Sequence, residues 1–123
     1  MNNGGERPYP HIDLPWPDRA LHPNARMHWA PKAQATKKAR ETGRMCSYAS
    51  GARKVEANQL KVTVTFFPPD KRRRDIDGLL SNLKAYLDGI SDAIGVDDGG
   101  WDIFLKRGDV RKRGAVRVEM EPI

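Results

Sequence analysis

The chain is poor in several things that often identify a protein. It has one cysteine, Cys46, so no intrachain disulfide can form, and a packing thiol in a reducing cytoplasm is the expectation. No apolar run approaches the roughly eighteen residues of a membrane span. The opening residues, MNNGGERPYPHIDLPWP, lack a hydrophobic signal core, so neither membrane nor secretion is expected. Nucleotide-type phosphate loops (GxxxxGK[ST], GxGxxG) and a serine nucleophile elbow are absent, and no organic cofactor is expected. His11, His22 and His28 have no zinc-site spacing, and no second cysteine supports one.

Basic charge, by contrast, is plentiful. Lys and Arg number 22 against 16 acids, a net charge of +6 over 123 residues. That length suits a single domain, residues 1–123, with residues 1–8 as a disordered start. Cations gather at 37–44, 71–74 and 107–113, while acids gather at 75–102. A polarised basic chain suits a polyanion such as nucleic acid.

The patterning predicts an α+β domain, with about four strands in one small mixed sheet flanked by two helices. A short strand is expected within 11–17, ended by Pro15 and Pro17, then a loop over 19–29. Helix formers dominate from Pro31 to about Ala52, weakened by Gly43 and Gly51. QLKVTVTFF (59–67) alternates as a strand and stops at Pro68 and Pro69. Asp77–Ile94 carries an apolar stripe of Leu79, Leu80, Leu83, Leu87, Ile90 and Ile94, with Asp75 or Asp77 as cap. After the turn GVDDGG, WDIFLKR and AVRVEM read as a hairpin closed by GDVRKRG.

One stretch carries the chemistry. In PPDKRRRDIDGLL, the cations Lys71, Arg72, Arg73 and Arg74 run into Asp75 and Asp77. Either the charges neutralise one another on a solvated turn, or a divalent cation sits between the carboxylates and an anionic ligand. Carboxylates at i, i+2 on extended backbone point the same way. Mg2+ takes one or two such ligands and completes its shell with water and phosphate. Lys71–Arg74 would then hold backbone phosphates. Lys84, two helical turns after Asp77, shares its azimuth and can stabilise charge on a phosphate. Its plain alternative is an i,i+4 surface pair with Asp88. Trp16, Trp29 and Trp101 are core by default, with base stacking as a second reading for Trp101.

PPDKRRRDIDGLL, the following LKAYLDGISDAIGVDD and the early LPWP (14–17) resemble the RusA family of Holliday-junction resolvases, typical of phages and prophages. The likeness spans most of the chain; order and spacing carry it, not any single piece. It implies a small Mg2+-dependent endonuclease, with Mn2+ able to substitute, that acts as a homodimer on four-way junction DNA in recombination and repair. By position, the family's paired aspartates fall on Asp75 and Asp77 and its third on Asp98, in preference to Asp97. These three would be both catalytic and metal ligands, and the family lysine falls on Lys84.

Two departures stand out. The family has Asn after the second aspartate where this chain has Gly78. Its lysine arrives one turn after that aspartate, where this chain has Ser81. The expected reaction is in-line hydrolysis of DNA phosphodiesters, with the 107–113 loop adding salt-dependent backbone binding. The alternatives are a noncatalytic junction-binding protein on the same fold, and a general metal-dependent nuclease of flaps or single strands.

Overall fold

The computed structural model describes residues 11–17, 21 and 29–123, with the backbone alone at 29 and 30. The expected disorder of 1–8, His22, His28, the Trp29 side chain and nearly all of the 19–29 loop lie outside the described residues.

Two helices lie on one face of a four-stranded mixed sheet. The elements are β1 (Ile12–Leu14), α1 (Trp29–Ala49), β2 (Leu60–Phe67), α2 (Ile76–Ile94), a 3-10 turn (Asp98–Gly100), β3 (Trp101–Arg107) and β4 (Ala115–Pro122). In β2 every second residue is buried, because Leu60, Val62, Val64 and Phe66 face the helices. β4 matches it with Val116, Val118 and Met120, and β1 with Ile12 and Leu14. The stripe of α2 closes this core: Leu79, Leu83, Leu87, Ile90 and Ile94 are buried, and Leu80 is half-buried.

Strand order corrects the expected hairpin. The sheet runs β1-β4-β2-β3, with β2 and β3 parallel and the other pairs antiparallel. β3 and β4 therefore never pair; β2 lies between them. The physical reason is the helix: α2 carries the chain back along the sheet, so β3 must start at the same end as β2. That makes β2–α2–β3 a parallel crossover. The seven residues after β3 then cross the end of β2, where Gly108 N–H donates to Phe66 O at 2.7 Å and Arg111 N–H to Pro68 O at 2.9 Å.

The helix ends follow the residue types. Gly95 takes a left-handed conformation (φ 75°) and its N–H donates to Ser91 O, stopping α2. Gly43 does more than weaken α1. A Cβ there would lie 2.1 Å from Tyr86 O, and one at Gly89 2.0 Å from Arg40 O. The helices meet backbone to backbone at this crossing, which no larger residue permits.

Candidate active site

The segment from β2 to α2 is shaped by an acid outside the expected set. Asp70 accepts a hydrogen bond from Arg72 N–H at 2.9 Å and pairs with the Arg74 guanidinium at 3.0 Å. Arg72 Nε lies 3.3 Å from its other oxygen. The Arg74 hydrogen bond, then that of the Arg72 backbone, pulls the Asp70 carboxyl down to about 2. Arg74 is also held by an aromatic: its guanidinium lies 5.4 Å from the centre of the Trp16 ring, which packs edge-on against Phe66. LPWP thus reaches the same end of the sheet as the cation run. The signal for Asp70 was in the spacing, since an aspartate two and four residues before arginines can bond both.

Asp75 and Asp77 follow immediately. Asp75 sits at the N-cap of α2 with extended backbone (φ −80°, ψ 134°), yet its side chain makes no capping hydrogen bond. Asp77 is in the first turn. Both are exposed, and among the described residues neither carboxylate has a hydrogen bond or ion pair. Within the cation run the pairing acid is Asp70, which takes Arg72 and Arg74. Lys71 and Arg73 are exposed beside them, as are Arg111, Lys112 and Arg113 of the crossing loop. The Arg111 guanidinium carbon sits over Phe67, 3.5 Å from the ring centre. The end of the sheet where β2 finishes therefore presents a band of cations around two open carboxylates.

The other candidate residues meet elsewhere. Lys84 Nζ donates to Asp88 Oδ1 at 2.7 Å and also to the Asp98 carboxylate. The first of these bonds, with the second behind it, raises the lysine above its ordinary value. Asp97 instead accepts the Gly99 N–H at 3.0 Å and closes the 3-10 turn. Of the two adjacent acids, Asp98 is thus the one aimed at Lys84. Seven residues of helix, about 10 Å of rise, separate Asp77 from Lys84. Among the described residues no group of three acids, histidines or cysteines is placed to hold a metal. Asp75 and Asp77 can supply the two carboxylates Mg2+ accepts; Asp98 does not join them within one chain.

Trp101 is buried and its Nε1 donates to Val96 O at 3.2 Å, so it is a core residue and not a base-stacking platform. Ser81, at the family's lysine position, is exposed on α2. Cys46 is half-buried against the core, and burial pushes its thiol up. In the cation cluster of α1, Arg40 grips Asp92 of α2 through two bonds of 2.7 and 2.8 Å, and Arg44 pairs with Glu41. Of that cluster, Arg40 ties the two helices together, while Lys37 and Lys38 are exposed.

No family model matches the chain. It is similar to a protein of Xylella fastidiosa (strain Temecula1 / ATCC 700964) named "Uncharacterized protein", with 38% identity over 91 residues. The match covers 71% of this chain and 59% of the relative, so the chain spans under two thirds of that protein's length. Among the described residues no helix is long and apolar enough to cross a membrane.

Proposed function

We propose that the chain is a divalent-metal-dependent endodeoxyribonuclease that cuts four-way DNA as a homodimer, as the RusA resemblance implies. The observation that carries this reading is the pair of exposed carboxylates, Asp75 and Asp77, without partners among the described residues and set inside a basic band. Asp70 already pairs with Arg72 and Arg74, so the fold uses Asp75 and Asp77 for little beyond the weak attraction of a helix N-terminus for negative charge.

Lys71, Arg73 and the loop arginines hold DNA phosphates on either side of the acids. Mg2+, when bound by Asp75 and Asp77, supplies a water of lowered pKa and neutralises charge on the phosphate. Trp16 and Asp70 keep Arg74 fixed, so the loop that presents Asp75 enters α2 at one angle. Lys84 and Asp98 are the third element of the family pattern, and in a single chain they bind each other.

That separation supports a second reading, a junction-binding protein without cleavage. A synthetic four-way junction, with linear duplex and flap controls, distinguishes them. Paired nicks in Mg2+ or Mn2+, faster on the junction than on the controls and lost in Asp75→Asn, are the expected result. Tight binding without nicking in either metal overturns the nuclease reading in favour of the second.

A further inference from the structure

The two edges of the sheet are built differently. β1 is three residues long and runs into Pro15 and Pro17. Brevity and proline are the usual means of keeping an edge from pairing with another chain. β3 is seven residues long, contains no proline, and is the outermost strand on its side among the described residues. It is also apolar where it is open: Ile103 is 37% and Phe104 51% exposed.

The direction of its free backbone groups follows from the register. Gly108 N–H bonds Phe66 O, and Phe66 stands opposite Arg107. Alternate residues of a strand aim their N–H and C=O at opposite edges, so 102, 104 and 106 bond β2. Residues 101, 103, 105 and 107 point outward. On the face away from the helices lie Asp102, Phe104 and Lys106.

We propose that β3 pairs antiparallel with β3 of a second copy about a two-fold axis at Phe104, joining the two sheets into one. The segment is self-complementary about that point. Ile103 and the partner's Leu105 form a hydrogen-bonded pair through their outward groups. Phe104 meets the partner's Phe104 in the closer, non-hydrogen-bonded geometry. Asp102 opposes the partner's Lys106, and the symmetry makes that contact twice.

Other registers lose this match. Centring on Asp102 or Lys106 opposes like charges. Centring on Ile103 or Leu105 leaves Asp102 facing no cation, and an odd shift turns one copy's outward groups away. The nuclease reading requires two copies but says nothing of how they meet. This interface is measured without DNA or metal, so either idea can fail alone.

The test is sedimentation of the full chain and its charge variants. Wild type is expected to be a dimer. Asp102→Lys leaves only cations at the two positions and Lys106→Asp only anions, so each is expected to self-associate at least about tenfold more weakly. Mixed one to one, the two variants oppose unlike charges at both contacts and should form a heterodimer; the double variant should regain the homodimer. A disulfide crosslink guards against misfolded variants. Phe104→Cys in a Cys46→Ser background should close a symmetric disulfide on mild oxidation, because a non-hydrogen-bonded pair holds its Cα atoms about 4.5 Å apart. A monomeric wild type, single variants that dimerise as well as wild type, or a Phe104→Cys variant that stays unlinked each overturns the proposal.

Discussion

α2 carries acidic side chains at both of its ends, and the two ends treat them in opposite ways. At the far end Asp88 and Asp98 converge on Lys84, and Asp97 closes a turn. At the start, Asp75 and Asp77 have no partner among the described residues, though four cations precede them. The same residue type is structural where the fold supplies a donor and open where it supplies none. Lys84 Nζ can reach only one end, and it reaches Asp98.

Removing the open carboxylates should have the largest effect. On the proposed function, Asp75→Asn or Asp77→Asn is expected to lower junction cleavage by at least about a hundredfold. Junction binding should be kept or tightened, because a charge that repels phosphate is gone; gel shifts alongside cleavage assays read both. If affinity falls with activity, the two ends of the helix are alike after all and Asp75 is structural.

The cation run divides in the same manner. Lys71→Ala with Arg73→Ala removes two exposed cations that hold no acid among the described residues. Binding to junction and duplex alike should weaken, and the log–log salt slope should flatten by about 0.9 for each phosphate no longer neutralised. An unchanged slope in titrations over a range of salt removes this run from the DNA interface.

Stability should show the reverse order. Lys84→Ala strips a donor from Asp88 and Asp98, yet its side chain is 58% exposed. The loss is expected to stay below about 1 kcal/mol in denaturant unfolding. Asp75→Asn should fall within about 0.5 kcal/mol of wild type. A larger cost for Asp75 than for Lys84 breaks the comparison.

Acid gives the smallest signal. Asp70 is held below its ordinary 3.8, at about 2. Its folded value is depressed, so whatever it contributes is complete above about 4 and is lost as pH falls towards 2. The Asp70 carboxyl resonance should titrate near that lower value, and Arg74→Ala should move it up towards the usual carboxylate range, short of it because the Arg72 N–H still donates.

Much of this fold was legible because periodicity is a local property. The alternation of β2 and the stripe of α2 each need only a short window of residues to declare themselves, and both elements lie within a residue or two of expectation. The hairpin failed because strand order is not local. Nothing in WDIFLKR or AVRVEM reveals that β2 lies between them; that follows from where α2 sets the chain down. The candidate site divides along the same line. Asp75, Asp77 and the cation run were visible as neighbours in the chain. The grip of Asp70 on Arg72 and Arg74 is local as well, readable from the spacing though it was not read, whereas the seat of Arg74 on Trp16 depends on a contact between distant segments. The meeting of Lys84 with Asp98 was hidden for the same reason.

The crossing at Gly43 and Gly89 has a consequence for the acids at the head of α2. Main chain rests against main chain there, so the joint has no pliable side chain to absorb a change in volume. A methyl group added at either glycine cannot be accommodated by a new rotamer; it must lever the whole rod about that fulcrum. The displacement would be greatest at the tips, where Asp75 and Asp77 stand, and damage in the middle of the molecule would then register as carboxylates out of aim.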